Sequence, residues 1–350
     1  MLYVGVDLHK DQLTVVGKNA LGEVVLKTRL PCRCVQRIQA FFEGLPRPFR
    51  VAVEAVGFYE WFWDLVEPLA DRMILANATE VRHRSPAEPK TDYRDARRLA
   101  ELLRQGLFDL DHHLRCYVPD LDLRHLRHLT RRRNNLTRRL VAEKNSFRRI
   151  TLRHNLAGPE TLDSLSAARW TETYTESLSD DERDLLRQLA DAMAMFERHR
   201  TDLERRIAPL VKTRPDWRRT VESLDSLPGF GSVVTWTLLA EIGDFARFDR
   251  PEELVNYIGL DPRVFQSDAT VRHGRITKQG PSRRAGTRWV LIQAAWVAAT
   301  HDGRCQGLLR RISQRAGRKK AAVAVARKLL VWAWYLVRSG QSYQGNRRSA

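Results

Sequence analysis

The sequence predicts an α/β domain with a mixed sheet, followed by an all-α remainder that includes a long helical hairpin. Three strand-like segments begin the chain, and helix-like and strand-like segments then alternate, as is typical of α/β layers. Between about residues 118 and 215 the chain has little Gly or Pro, and its leucines recur at helical spacing. With 350 residues, the chain is long enough for two or three domains with their own cores.

The elements of the first part follow in chain order. Strands at residues 2–8, 12–17 and 23–30 are expected to form a meander, because residues 19–22 supply a turn. The next elements are a helix, a buried strand, an aromatic-rich helix, a short strand and another helix, at residues 35–42, 50–54, 59–69, 72–76 and 92–104. Thr91 is the expected N-cap of this last helix, because its hydroxyl can accept a hydrogen bond from a first-turn amide.

The middle of the chain is predicted to form two long antiparallel helices or a coiled coil, interrupted around residues 155–170. The first of these helices carries the run "RHLRHLTRRRNNLTRRL". Its arginines could form a solvated face, but their excess over acids favours contacts with nucleic acid. The residues expected to make those contacts are Arg131, Arg132, Arg133, Arg138 and Arg139.

The last part of the chain begins with a glycine turn in "LDSLPGFGSVVTWTLLAEIGD". This stretch resembles a helix-hairpin-helix element, in which Gly229 and Gly231 would expose backbone amides to a phosphate. An ordinary turn between packed helices is the alternative. Trp289 and Trp296 are predicted core residues of a following helix, and residues 321–337 form the last helix. These patterns predict domains at residues 1–112, 113–215 and 216–350.

The composition indicates a polyanionic partner. The chain has 60 Lys and Arg residues against 42 Asp and Glu residues, a net charge of +18 and a pI near 10.3. Nucleic acid is the simplest such partner, and an anionic membrane is the alternative. We expect no membrane partner, because no run approaches the ~18 apolar residues of a spanning helix. We also expect no signal peptide, because the N-terminal stretch "MLYVGVDLHK" already contains charged residues. The four cysteines show no paired zinc spacing, so we expect free thiols in a reducing cytoplasm.

Four acids have the pattern of a metal site. Asp7 lies near the end of the first strand, and Glu54 ends the fourth. Asp92 and Asp95, in "KTDYRDARR", share one helix face at i and i+3. If the first and fourth strands are neighbours, the four carboxylates converge, and divalent cations would offset their repulsion, as in two-metal phosphoryl transfer. Surface carboxylates in salt bridges are the alternative for each acid taken alone.

Five motifs carry a resemblance to a known family. They are, in order, "VGVDLHK", "VAVEAVGFYEWFWDLV", "KTDYRDARRLAELLR", "LPGFGSVVTWTLLAEIGD" and "YIGLDPRVFQSDATVRHGRITKQG". They resemble the DEDD-type transposases of the bridge-RNA-guided insertion-sequence family, to which pilin-gene DNA invertases also belong. The resemblance implies a RuvC-like, RNase H-type N-terminal domain, a helical coiled coil and a C-terminal transposase domain with a nucleophilic serine. The implied tetrad is Asp7, Glu54, Asp92 and Asp95.

The resemblance places the nucleophile at Ser267, in "DPRVFQSDATVRHG". Asp268 follows it here, where the family usually has glycine, and Ser282 is a nearby competitor. The basic residues beside this serine would suit phosphate contacts, or they form a solvated basic loop. They are Arg272, Arg275 and Lys278.

The expected function is therefore a DNA transposase or site-specific recombinase that depends on Mg²⁺, with Mn²⁺ as a possible substitute. Its implied partners are donor and target DNA, a guide RNA from the flank of the element, and further copies of the chain in a dimer or tetramer. The expected location is the bacterial cytoplasm, in association with the nucleoid. Two alternatives stay open, a junction-resolving nuclease that uses water and a non-catalytic nucleic-acid-binding protein.

Overall fold

The computed structural model describes residues 1–84, 91–267, 270–276 and 286–345, with the backbone alone for residues 175, 262–267 and 270–276. The chain divides into two compact units, Met1–Val118 and Pro119–Ala350. The first predicted domain boundary lies six residues earlier, at residue 112. The predicted division of the second unit at residue 215 stays a prediction.

The first unit contains the predicted mixed sheet of five strands. The strands are β1 (Leu2–Leu8), β2 (Gln12–Lys18), β3 (Val24–Pro31), β4 (Phe49–Glu54) and β5 (Arg72–Ala76). Their order is β3-β2-β1-β4-β5. The three N-terminal strands pair antiparallel as a meander, whereas β1, β4 and β5 pair in parallel. The carboxyl ends of β1 and β4 therefore meet at one edge of the sheet.

Among the described residues of this unit, five helices accompany the sheet and cover both of its faces. They are α1 (Val35–Glu43), α2 (Glu60–Val66), α3 (Ala78–His83), α4 (Asp92–Arg104) and α5 (Leu107–Leu110). On one face, Phe42 of α1 and Phe62 of α2 are buried against the sheet. On the other face, Leu99 and Leu103 of α4 join a separate cluster. The α2 helix is shorter than predicted, and residues 67–69 form a 3₁₀ turn, because Pro68 has no N–H to continue it.

The second unit is mostly helical. Its elements are α6 (Leu121–Arg153), α7 (Ser164–Thr173), α8 (Asp180–Thr213), α9 (Pro215–Asp225), α10 (Ser232–Ile242), α11 (Pro251–Ile258), β6 (Pro262–Ser267), β7 (Thr270–Ile276), α12 (Thr287–His301), α13 (Gly303–Ala316) and α14 (Arg318–Ser339). No strand is predicted from the sequence at residues 262–276, where the structure forms the hairpin of β6 and β7. Among the described residues, no helix is long and apolar enough to cross a membrane.

The long helices α6 and α8 run side by side in opposite directions. Arg153 at the end of α6 pairs with Glu182 near the start of α8, while Arg133 pairs with Glu204 further along. Their facing leucine, phenylalanine and methionine side chains form one buried cluster. A second cluster joins α9 to α14.

The two tryptophans expected in the core of α12 were wrongly assigned. Trp289 is 38% exposed, and Trp296 is half-buried. The buried stripe of this helix follows Val290, Ala294 and Ala298 instead. At 3.6 residues per turn, the tryptophans lie on the opposite side of the helix from that stripe.

Candidate active site

The carboxyl edge of the sheet brings two predicted acids together. The parallel register pairs Val6 with Val53, so the next residues along the two strands are Asp7 and Glu54. Both side chains lie on the sheet face that α4 covers, because side chains alternate along a strand and Gly5 and Ala52 also face α4. Asp7 is 4% exposed. A nearly buried carboxylate is costly without a partner, so its surroundings decide its role.

Gly5 determines how close the helix α4 comes to β1. A Cβ atom at this position would lie 1.9 Å from the carbonyl oxygen of Ala96 and 2.6 Å from the amide nitrogen of Ala100. No other residue type leaves room for this contact between backbones. The first turn of α4, which carries Asp92 and Asp95, is thereby held next to the end of β1 that carries Asp7.

The first turn of α4 is ordered by its cap and its neighbours. Thr91 is the N-cap, as predicted, and its side chain accepts a hydrogen bond from the Arg94 amide. Arg29 of β3 lies 3.4 Å from an Asp92 oxygen, and Arg98 lies 3.5 Å from an Asp95 oxygen. These long, partly exposed contacts are weak, so either carboxylate can exchange its arginine for a cation at modest cost.

His9 lies beside these acids, although it was not predicted from the sequence as a site residue. Its Nε2 lies 3.1 Å from Asp7 Oδ2 and 3.5 Å from Asp92 Oδ1. One ligand atom from each of these three residues falls within 4.8 Å of the other two, a spacing that could hold a metal ion. The available signal was the interval of two residues between Asp7 and His9, which favours the same side of the chain at a strand end.

Burial and neighbouring acids perturb Asp7. Burial, the largest cause, and the charges of Glu54 and Asp95 together raise the pKa of this carboxyl to about 6, although His9 opposes the shift. Glu54 and Asp95 are therefore close enough to Asp7 to act on it electrostatically. A carboxyl with such a pKa exchanges its proton for a cation near neutral pH at little cost.

A buried hydroxyl beside Asp7 also lacks a partner. Thr14 of β2 is paired with Asp7 in the antiparallel register and points to the same face. Its Oγ1 is buried and has no hydrogen-bond partner among the described residues. Buried polar groups normally have partners, so this hydroxyl is suited to a ligand or water held at the acidic cluster.

Basic and aromatic side chains flank the cluster on the β3 side. Lys27 Nζ lies 4.0 Å from the ring centroid of Tyr93, and the Arg29 guanidinium lies 4.7 Å from the same centroid. Tyr93 follows Asp92 directly in α4. A cationic surface therefore borders the carboxylates, as a phosphate substrate would require.

The five α6 arginines predicted to bind nucleic acid fall into two groups. Arg131 forms a bidentate pair with the buried Glu241 at 2.7 and 2.9 Å, and Arg133 binds Glu204. These two stabilise the packing of the second unit. The exposed members are Arg132, Arg138 and Arg139. The nucleic-acid role of all five stays a prediction, and the exposed three fit it better.

The glycine turn between α9 and α10 has a packing role at its first glycine. Gly229 has φ +77°, and a Cβ there would lie 2.2 Å from the carbonyl oxygen of Ala294 in α12. Gly231 is exposed and precedes α10 as its N-cap. The geometry of Gly229 is that of an ordinary turn between packed helices, which was the alternative interpretation of this sequence. Phosphate binding at either glycine stays a prediction.

The predicted nucleophile lies at a hairpin end. Ser267 is the last residue of β6 and pairs with Thr270 of β7. Arg272 and Arg275 lie in β7. Their side chains are not described, and Asp268, Lys278 and Ser282 lie outside the described residues.

Comparisons with known proteins match this chain to transposases. A family model for transposases matches residues 4–154, and a model described as the transposase IS116/IS110/IS902 family matches residues 221–309. A Sinorhizobium fredii (strain NBRC 101917 / NGR234) protein named as a transposase, y4qE, is 27% identical over 305 residues, which cover 84% of this chain and 71% of the relative.

Two further relatives agree with this match. The protein y4pF/y4sB of the same strain, also named as a transposase, is 24% identical over 98% of this chain and 86% of its own length. The pilin gene-inverting protein of Moraxella bovis is 27% identical over 49% of this chain and 50% of its own length.

The mixed sheet, the acidic edge and these matches together define the chain as an enzyme of the DNA transposase and recombinase class. Within that class, the chain belongs to the IS116/IS110/IS902 family of transposases. The family predicted from the five sequence motifs is thus confirmed.

Proposed function

We propose that this transposase cleaves and rejoins DNA with a divalent-metal site at Asp7, Glu54, Asp92 and Asp95 and a nucleophilic serine at Ser267. The observation that carries the proposal is the convergence of acids from β1, β4 and α4 at one sheet edge. The mixed sheet with acids at its carboxyl edge supports the RuvC-like, RNase H-type domain that the sequence resemblance implies.

The residues at this edge fit a divalent cation. Carboxylate oxygens are the ligands that Mg²⁺ prefers, and the imidazole of His9 would add a nitrogen ligand that suits Mn²⁺ or other transition metals better. The buried Asp7 and the Thr14 hydroxyl, which has no hydrogen-bond partner in the described part of the chain, support a ligand at this place. When bound, the cation would stabilise charge on the attacking and leaving oxygens of a phosphodiester.

The proposed roles of the protein side chains follow from phosphoryl-transfer chemistry. Attack by the Ser267 oxygen forms one O–P bond and breaks one P–O bond of the DNA backbone. The serine proton leaves to solvent, and the released DNA oxygen takes up a proton, so a hydroxyl end results. Attack by a hydroxyl end of a second strand then restores the serine. The phosphoserine link conserves the bond energy, so rejoining needs no external energy source.

The proposed partners follow from the family resemblance. They are donor DNA, target DNA, a guide RNA encoded at the flank of the element, and further copies of the chain in a dimer or tetramer. The antiparallel pair of α6 and α8 supports a coiled-coil role in such an assembly. The proposed place of action is the cytoplasm, at the nucleoid.

Excision of the native element in cells tests the serine role. The gene and its own flanking DNA would be carried on a plasmid, and the circular junction product would be scored by sequencing. We expect Ser267→Ala to abolish the junction while the protein stays folded, and Ser282→Ala to retain it. A junction that persists in Ser267→Ala would move the chemistry to water or another serine, and the nuclease alternative would then be favoured.

A further inference from the structure

The positive charge of the chain is concentrated at its C-terminal end. Residues 269–350 contain 18 Lys and Arg residues and a single acid, Asp302. They therefore carry +17 of the total charge of +18, and residues 1–268 are almost neutral. The polyanion that the composition predicts should accordingly bind the C-terminal part of the chain.

Within the described residues, this charge gathers where α13 turns into α14. Gly317 joins the two helices with φ +85° and ψ 157°, a conformation that favours glycine. Six exposed basic residues lie in the last two turns of α13 and the first turn of α14, and we call them the basic corner. They are Arg310, Arg311, Arg315, Arg318, Lys319 and Lys320.

The described part of the chain gives the basic corner no ion-pair partner. None of its six side chains forms an ion pair or hydrogen bond with a described residue, and no Asp or Glu occurs in either helix. Other basic residues of the same unit behave differently, since Arg131 binds Glu241 and Arg327 binds Asp261. The charge of the corner is therefore left for an external anion.

Three of these cations also lie where a helix disfavours them. Arg318, Lys319 and Lys320 form the first turn of α14, and a helix N-terminus carries partial positive charge from its unpaired amides. No acid lies in that turn, and the N-cap Gly317 has no side chain to accept from the amides. A bound anion would offset the positive charge of both the unpaired amides and the basic side chains.

The corner is held rigidly by the core beneath it. Ala321, Ala322 and Cys305 are buried, and the Arg318 guanidinium lies 5.5 Å from the ring centroid of Trp296 in α12. Since the two helices are fixed by this packing, their basic side chains are presented as a defined surface and not as a loose tail. Such preorganisation lowers the entropy cost of binding.

We propose that the basic corner binds the phosphate backbone of duplex DNA, and this inference rests on the proposed recombination function. An amphipathic membrane-binding helix would expose large apolar side chains, and none is exposed among residues 303–320. Proteins that recognise single-stranded RNA usually stack its bases on aromatic rings, and residues 303–320 include no aromatic residue. The half-buried Trp296 beside Arg318 belongs to α12, so residues 303–320 present charge with no exposed large apolar or aromatic side chain of their own, which fits duplex phosphates.

Salt-dependent DNA binding tests this proposal. The full chain would be titrated into a fluorescent 30-base-pair duplex in EDTA, over a range of salt concentrations, and binding followed by anisotropy. In the triple variant Arg315→Gln, Lys319→Gln, Lys320→Gln, we expect the slope of log K against log salt to fall in magnitude by about 2.7, because each lost phosphate contact removes about 0.9. The melting temperature should stay equal or rise, since unfavourable charges leave the start of α14.

A matched control removes the same charge elsewhere. Arg198, Arg206 and Lys212 are exposed on α8, whose sequence also contains many acids, and their triple change to Gln should leave the slope unchanged. The charge-conserving variant Arg315→Lys, Lys319→Arg, Lys320→Arg should bind as the wild type does. Because the assay contains no metal and scores no cleavage, a failure of the proposed catalysis would not affect it.

Three results would overturn the proposal. The first is an equal slope in the corner variant and the α8 control. The second is that the corner variant loses binding to a labelled single-stranded RNA but binds duplex DNA normally, which would assign the surface to RNA. The third is that the corner variant loses binding only to vesicles rich in phosphatidylglycerol, which would assign the surface to a membrane.

Discussion

At the scale of single residues, Gly5 lets α4 pack close enough to β1 for the acids of these two elements to lie side by side. Substitution Gly5→Ala would place a Cβ atom 1.9 Å from the carbonyl of Ala96, so α4 must move away from β1. We expect a loss of stability of about 1–3 kcal/mol, typical of overpacking, and at least tenfold weaker binding of Mn²⁺ measured by calorimetry.

Gly57→Ala is the matched control for this prediction. A Cβ atom at Gly57 would meet nothing within 4 Å among the described atoms, and its φ is not positive. This variant should bind Mn²⁺ as the wild type does. Unchanged metal binding in Gly5→Ala would show that the approach of α4 does not set the site.

His9 provides a second residue-scale prediction. If its nitrogen is a ligand beside Asp7 and Asp92, then His9→Ala should weaken Mn²⁺ binding by about tenfold or more. Mg²⁺ binding should weaken less, because Mg²⁺ prefers oxygen ligands. Equal losses for both ions would argue against a nitrogen ligand, and Asp7→Asn should abolish binding of either ion.

The four acids could be predicted from the sequence, whereas their supporting residues could not. Asp7 and Glu54 are recognisable because acids end two apolar strands, and the helix pair Asp92 and Asp95 because of its spacing. Gly5 and Thr14 act through contacts with other elements, which appear only once α4 and β2 are in place. The acids of β1, β4 and α4 converge because β1 and β4 are neighbours in the sheet. The sequence pattern allows this strand order but does not require it.

At the scale of elements, one ion pair links α4 to β2. The buried Lys18 donates to Glu101, and Arg104 donates to the same carboxylate at 2.5 and 3.2 Å. These contacts, with the Arg104 hydrogen bonds first among them, lower the pKa of Glu101 to about 2. The pair fixes the end of α4 opposite to its acidic first turn.

The lowered pKa gives a pH-dependent prediction. Because the folded pKa of Glu101 lies below its ordinary value of 4.5, its contribution to stability is complete above pH 4.5. That contribution is lost as the pH falls from 4.5 towards 2. Glu101→Gln should therefore melt below the wild type at pH 7, and the difference should shrink below pH 4.5. The exposed Glu67→Gln should show no such difference at either pH, and a pH-independent gap for Glu101→Gln would contradict this account.

Element boundaries in the first unit follow from the sequence better than the arrangement of the second. The strand β5 and the helix α4 match their predicted bounds, because turn residues and the Thr91 cap mark them locally. The tryptophans of α12 were misassigned because hydrophobicity alone does not show which side of a helix faces the core. Small alanines fill that side here, since α14 and α10 pack close to it.

At the scale of the whole molecule, charge is divided along the chain. The acids proposed to bind metal lie in the first unit, and nearly all of the net positive charge lies in residues 269–350. This division fits an enzyme that performs chemistry with one part and holds a polyanion with another. The net charge could be read from the sequence at once, but the exposed and unpaired state of the basic corner could not.

The central claim is that the carboxylates and Ser267 act on one phosphodiester, and a covalent adduct tests it most directly. Purified protein, with any RNA that the element supplies, would be incubated with labelled DNA of the element end and Mg²⁺, then denatured and digested. The account predicts a protein–DNA adduct whose mass maps to a peptide phosphorylated at Ser267. The adduct should be absent without Mg²⁺ and in Asp7→Asn. An adduct on another residue, or metal-dependent cleavage with no adduct, would contradict the claim.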